Sequence, residues 1–300
     1  YDRIVAVGGG AVMDMSKVVA GAGGASIDDV IDHLPDFKRS VRLVLVPTTC
    51  GTGSEVTEIA AINRTRLGCK AGIAGPEMFA DDAVLVPELL YGLPDHVFAT
   101  SSLDALVHSV ESTLSPNSTP YTRMFGYEAM KMIISGYKAV AEAGPAGSPE
   151  RRAKRNELMR DFLIASDYAG ISFDTGGCAA VHALSYQLGG KYHVPHGESN
   201  YAMFTGVLRN YMEIKPEGEI LKMNQFIADI LGCDVADVYD ALETLINKLL
   251  PKKALHEYGV TEQDLPEFAD RVIKTQERLM KNCFVPLDYD RVLKIFKELY

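Results

Sequence analysis

The apolar pattern of this chain changes period once, and that change limits the available folds more than any single motif. From residue 1 to about 93, apolar residues come in short runs stopped by glycine or proline. These are Ile4-Val5-Ala6-Val7 before Gly8-Gly9-Gly10, Leu43-Val44-Leu45-Val46 before Pro47, and Ala83-Val84-Leu85-Val86 before Pro87. Such runs suit parallel strands buried on both faces, and a helical stretch from Met13 through Val18, Val19 and Ala20 makes the first two a βαβ unit. After Leu93-Pro94, apolar residues recur every three or four positions over 120–142, 150–175, 218–231, 235–249 and 265–281. Ser148-Pro149 places a cap before a first-turn proline, and Thr261 with Asp264 resembles a capping pair. The expected architecture is an α/β domain over 1–93 followed by an all-α domain over 94–300.

With 300 residues, 47% hydrophobic and 23% charged, the chain can bury a large core. Forty acidic against thirty basic residues give a net charge of −10. That field repels nucleic acid and anionic lipid, so neither is expected as a partner. There is no apolar stretch of about 20 residues and no basic-then-apolar leader. The five cysteines are odd in number and form no C-x-x-C pair, which predicts reduced thiols, ordinary core or loop residues, in a cytoplasmic protein. Tyr1 runs almost at once into a strand, so residues before it are expected in the complete subunit.

Four segments could carry chemistry. Gly8-Gly9-Gly10 stands where a strand turns into a helix, a place where backbone amides can cradle a phosphate. A merely tight turn explains the glycines about as well, since neither the Walker A nor the G-x-G-x-x-G spacing is present. Pro47 to Thr57 offers five hydroxyl side chains and two glycines in Thr48-Thr49-Cys50-Gly51-Thr52-Gly53-Ser54 and Thr57, directly after an apolar strand. That is where open α/β sheets bind ligands. Asp104 and His108, four apart, share one face of an otherwise apolar helix; taken alone, a buried Asp–His hydrogen bond explains the pair better than a shared ligand. His182, His193 and His196 fall within fifteen positions, one on a small-residue helix and the last in a Pro-His-Gly turn. Together Asp104, His108, His182 and His196 offer one oxygen and three nitrogens, a set suited to Fe(II) or Zn(II). His33, His96 and His256 lack such company and are expected at the surface.

In this order, the glycine triplet with Asp14 and Lys17, the Pro-Thr-Thr-x-Gly-Thr-Gly-Ser-Glu loop, the Asp-Ala-x-x-His helix and the His-Ala-Leu to Pro-His-Gly stretch resemble the iron-containing, or group III, alcohol dehydrogenase family. The resemblance spans the whole chain. It implies a Rossmann-like dinucleotide-binding domain, here without its amino-terminal part, and an all-helical metal domain. It makes Asp104, His108, His182 and His196 the metal ligands. It places Gly9, Gly10, Ala11, Thr48, Thr49, Thr52, Thr57 and Lys70 around NAD, with Asp14 and Lys17 supporting the glycine turn. Ala11 stands where the family has a serine, and Tyr186 where many members have a histidine. The activity implied is metal-dependent hydride transfer between NAD(H) and a small hydroxy acid/aldehyde pair. A homodimer is expected only because it is the commonest assembly of soluble chains. Proton transfer through Tyr186 or His193 is expected, His193 being the easier shuttle because its ordinary pKa lies nearer neutrality. Lys191 and His193, near His196 in sequence, are candidates for the substrate carboxylate, with Arg123 and Arg64 more remote. Another primary alcohol or diol as substrate, a lyase of the dehydroquinate synthase type, and a non-catalytic metal-binding protein are the alternatives.

Overall fold

The parallel pairing expected from the first two apolar runs is present in the computed structural model, which describes residues 1–32, 38–64 and 69–300, and only the backbone of residues 63, 64 and 69–71. Strand β1 (Arg3–Gly8) lies parallel to β2 (Arg42–Pro47), in register from Arg3 with Arg42 to Gly8 with Pro47. Between them come helices α1 (Gly10–Ala22) and α2 (Ile27–Asp32). An antiparallel hairpin then follows, β3 (Ile59–Arg64) with β4 (Cys69–Ala74), which the sequence pattern did not announce. Strand β5 (Asp82–Ala83) pairs with β2. It is shorter and earlier than the apolar run 83–86: Val84 still donates to Leu45 at 2.9 Å, and Pro87 then opens a 3-10 turn, Pro87–Leu90. Proline has no N–H to continue a ladder.

Helix α1 has two apolar sides. Met13 and Ala20 pack on Ala6, Leu43 and Leu45 of the parallel sheet, while Val18 joins Ala60, Ile62 and Ile73 of the hairpin. Past Leu93 the described elements are helical. Helix α3 (Asp95–Leu114) is the axis of this part, buried without interruption from Ser102 to Leu114. Against it lie α4 (Pro120–Glu142), then α5 (Pro149–Glu157), α6 (Met159–Gly176), α7 (Ala180–Tyr192) and α8 (His196–Ile214). Around them run α9 (Glu219–Leu231), α10 (Val238–Asn247), α11 (Asp264–Thr275), α12 (Glu277–Met280) and α13 (Tyr289–Leu299). The single stretch expected over 150–175 is two helices broken at Leu158, and that over 265–281 is broken at Gln276. Ser148 caps α5, its Oγ accepting from the Arg151 N–H at 3.2 Å. At Thr261 the polarity is reversed: Asp264 accepts from both the Thr261 N–H and its hydroxyl, each at 2.7 Å. No described helix is long and apolar enough to cross a membrane.

The loop after β2 is pressed between the two parts of the molecule. A Cβ at Gly51 would lie 2.2 Å from the Ser101 carbonyl oxygen, and one at Gly53, whose φ is 58°, would lie 2.5 Å from Gly170 Cα. Only glycine permits that approach. The loop is tied to α1 by the buried Lys17, whose Nζ donates to the carbonyls of Thr57 at 2.8 Å and Ile59 at 2.7 Å. Asp14 adds two bonds, accepting from Ser54 Oγ at 2.6 Å and the Ala61 N–H at 2.9 Å. Beside them Glu55 is buried, neither oxygen having a hydrogen-bond partner in another of the described residues. Burial pushes its pKa from 4.5 up to about 7.

Glu55 therefore binds its proton more tightly folded than unfolded. Between about pH 4.5 and about 7 the folded chain holds more protons, so this group's contribution to stability falls as pH rises. Glu55→Gln removes that loss, on the order of 3 kcal/mol at most. The melting temperature of Glu55→Gln relative to wild type is expected to rise between pH 5 and pH 8. A difference that stays flat across that range contradicts the assignment.

Candidate metal centre and dinucleotide loop

One face of α3 carries Asp104, His108 and Glu111, at positions i, i+4 and i+7. His182 lies in the first turn of α7, and His196 is the first residue of α8 rather than part of an isolated turn. The four residues singled out in the sequence come together. Asp104 Oδ1 lies 3.8 Å from His108 Nε2, 3.5 Å from His182 Nε2 and 3.5 Å from His196 Nε2. Two of the rings are aimed from behind. His108 Nδ1 sits 3.2 Å from the Gly51 carbonyl and His182 Nδ1 sits 2.6 Å from Glu111 Oε2. A carbonyl can only accept, so His108 carries a proton on Nδ1 and turns Nε2 toward Asp104, where it can take a second proton or a cation; the Glu111 carboxylate does the same for His182. Glu111 also accepts from the N–H groups of Ala179 at 2.9 Å and Val181 at 2.6 Å, holding the start of α7. Asn200, one turn after His196, donates from Nδ2 to Asp104 Oδ1 at 2.8 Å.

Burial would raise the Asp104 pKa, but His108, His196 and His182 outweigh it and hold the carboxyl well below its usual range. Burial likewise opposes charge on His108 and His182, and Asp104 with the neighbouring Cys178 raises both nonetheless. Such a pocket is built for positive charge, which protons or one divalent cation can supply. Asp104, His182 and His196 present donor atoms within 4.8 Å of one another, and so do His108, Cys178 and His182. The oxygen and three imidazole nitrogens fit Fe(II) or Zn(II). Cys178, expected as an ordinary thiol, is thus a neighbour of the centre.

The glycine turn and the threonine loop lie side by side at the carboxyl ends of β1 and β2, joined by the Thr48 N–H to Gly8 carbonyl bond at 3.0 Å. Gly9 is the N-cap of α1. A Cβ at Gly10 would come within 2.8 Å of Thr52 Cγ2, and one at Gly9 within 3.5 Å of Thr49 Cγ2. Thr49 Oγ1 is buried without a hydrogen-bond partner among the described residues, a polar atom in want of a ligand. Ala11 is exposed in the first turn of α1. Unpaired N–H groups of a helix start, a bare backbone and an orphaned hydroxyl suit a pyrophosphate. Asp14, Lys17 and Thr57 bond one another's segments as described above, which makes them struts of the turn. The side chains of Lys70 and Arg64, like the whole of His33, lie outside the described residues.

Tyr186 is half-buried on α7, its ring centroid 6.0 Å from that of His196, and burial raises its phenol pKa. His193 is exposed between α7 and α8 with a left-handed φ of 55°. Lys191 instead donates to Asp264 and lies 3.7 Å from Glu267, with the Tyr192 hydroxyl completing the group at 2.6 Å from Asp264. Its charge is already compensated. His96 pairs with Glu198 at 3.1 Å. Sequence inspection missed Glu111 and Asn200, although helical spacing from His108 and His196 points to both. It had no means of finding the Gly51 carbonyl.

Two family models cover most of the chain. Iron-containing alcohol dehydrogenase matches residues 1–87, and the carboxy-terminal Fe-containing alcohol dehydrogenase family model matches 98–300. The 4-hydroxybutyrate dehydrogenase of Clostridium kluyveri is 45% identical over 300 residues, covering 100% of this chain and 79% of that protein. A 1,3-propanediol oxidoreductase structure superposes with a TM-score of 0.85 at 25% identity, over 100% of this chain and 77% of that one. Sulfoacetaldehyde reductase from Bifidobacterium kashiwanohense, solved in complex with NAD+, gives 0.84 at 26% identity, over 99% and 76%.

Glu111→Gln replaces an acceptor of three bonds with a group that must turn a donor toward one of those N–H groups. Metal affinity, measured by chelator competition with the full-length enzyme, is expected to fall roughly 10- to 100-fold. Retention equal to wild type rules out the orienting role.

Proposed function

The chain belongs to the iron-containing alcohol dehydrogenase family, and from that membership we propose that it catalyses reversible hydride transfer between NAD(H) and the 4-hydroxybutyrate/succinic semialdehyde pair. The observation that carries this is the convergence of Asp104 and three imidazoles on a loop whose Gly51 carbonyl orients one of them, beside a glycine turn with an orphaned threonine hydroxyl. The identity to the Clostridium kluyveri enzyme supports the substrate pair.

Asp104, His108, His182 and His196 would hold Fe(II), which when bound supplies the Lewis acidity that lowers the pKa of the substrate hydroxyl. NAD supplies the hydride acceptor. Gly9 and Gly10 with Thr48, Thr49 and Thr52 receive the dinucleotide, Asp14 and Lys17 keep the turn and loop together, and Lys70 belongs to the same proposal through the family pattern. Because burial keeps Tyr186 protonated, it serves to donate a hydrogen bond and to close the pocket against water. The substrate hydroxyl loses its proton outward through His193, which is exposed three residues before His196.

Full-length, anaerobically Fe(II)-loaded enzyme is expected to oxidise NADH with a kcat/KM for succinic semialdehyde at least tenfold above that for butanal. Equal values remove the 4-hydroxybutyrate assignment and leave a dehydrogenase of simple alcohols; no NADH loss with either removes the dehydrogenase. His193→Ala is expected to change the pH profile of turnover, and an unchanged profile ends the shuttle role.

A further inference from the structure

A substrate that carries a carboxylate needs a cation or amide donors near the metal centre. Several basic side chains of the helical part are committed elsewhere. Lys191 is paired with Asp264, Arg123 donates to the Thr113 carbonyl at 3.2 Å and lies 3.9 Å from Glu219, and Lys253 donates to Glu198 at 3.2 Å. Arg278, on the short helix α12, differs from all three. It is exposed, and among the described residues its guanidinium has neither an ion-pair nor a hydrogen-bond partner.

Its position is defined from both sides of the molecule. Arg278 Nη2 lies 3.3 Å from where a Cβ on Gly72 would stand, so the guanidinium reaches from the helical part to strand β4, and the missing side chain at Gly72 leaves it room. Toward the metal centre, its positive charge acts on the Tyr186 phenol, and the Tyr186 ring is 6.0 Å from that of His196. The backbone beneath it is anchored to the same centre. Asn282 Nδ2 donates to the Arg278 carbonyl at 3.3 Å and to the Cys178 carbonyl at 2.9 Å, while the Cys178 thiol lies within 4.8 Å of donor atoms on His108 and His182. One amide therefore ties the backbone that carries this guanidinium to the wall of the metal pocket. Gly177, with a φ of 76°, makes this approach possible, since a Cβ there would meet Asn282 Nδ2 at 2.4 Å.

We propose that Arg278 binds the substrate carboxylate from α12, opposite strand β4, and is the residue by which this enzyme prefers a carboxylated aldehyde to an uncharged one. This rests on the substrate pair proposed above. A guanidinium can bind a carboxylate through two parallel N–H bonds, whereas an ammonium offers only a point charge, so lysine should replace it incompletely. The role is one of binding and specificity. Hydride and proton transfer stay at the metal centre.

The test measures kcat/KM for succinic semialdehyde and for butanal, with NADH, in wild type, Arg278→Gln and Arg278→Lys full-length Fe(II) enzyme. In wild type the ratio of the two should be at least tenfold. In Arg278→Gln it should fall at least tenfold, through a higher KM for the semialdehyde, and Arg278→Lys should lie between. A wild-type ratio retained by Arg278→Gln overturns the inference while sparing the proposed function. A wild-type ratio near one overturns both. If Arg278→Gln instead raises the KM for NADH equally with either aldehyde, the guanidinium serves the dinucleotide phosphates and the inference is again overturned.

Discussion

A carboxylate in the middle of a helix bundle is tolerable only where positive charge compensates it, and Asp104 sets that demand for the whole site. Its helix, α3, is buried along the entire stretch from Ser102 to Leu114, so water cannot do the compensating. Protons or one divalent cation held by three imidazoles do so instead: their Nε2 atoms lie within 3.8 Å of one Asp104 oxygen and come from three helices, α3, α7 and α8. The imidazoles are useful only if their lone pairs point inward. Glu111 and the Gly51 carbonyl see to that by taking the opposite ring protons.

The bond from His108 to Gly51 also connects the two halves of the chemistry. The same loop that presents Thr48, Thr49 and Thr52 to the glycine turn supplies, at its centre, the carbonyl that aims the His108 ring. It can lie that close only because residues 51 and 53 have no side chain to collide with Ser101 and Gly170. From the other side Lys17 and Asp14 clamp the loop to α1. Displacement of the loop would therefore be felt at the glycine turn and at the Asp104 cluster together. Burial of Glu55 without a hydrogen-bond partner among the described residues is the cost of packing so polar a segment at the seam.

Local patterns made much of this legible. Runs of buried valine and leucine read as strands, three- and four-residue periods as helices, and the donor types as a metal set, because each depends on residues near one another in the chain. Where long-range packing decides, the reading failed in specific ways. The hairpin 59–74 packs on α1 through alternate small and branched residues too weak in pattern to stand out. The stretch 150–175 has helical periodicity throughout, yet Arg155 is drawn inward to the Leu93 and Tyr91 carbonyls and Asp95, and the helix breaks at Leu158. Lys191 stands five residues before His196, but α7 turns it to Asp264, some seventy positions away.

The sequence by itself determined the two parallel strands, the helical character of the second part, the family to which the chain belongs, and the candidate donors Asp104, His108, His182 and His196, since these follow from residue chemistry and local spacing. Only the tertiary structure decided which way the imidazoles of His108 and His182 face, which cations are already neutralised and which guanidinium lacks an ion-pair partner among the described residues. The physical reason is that hydrogen-bond and ion-pair partners such as Gly51 with His108, Asp264 with Lys191 and Asn282 with Cys178 lie tens of residues apart, and their pairing depends on how whole helices pack.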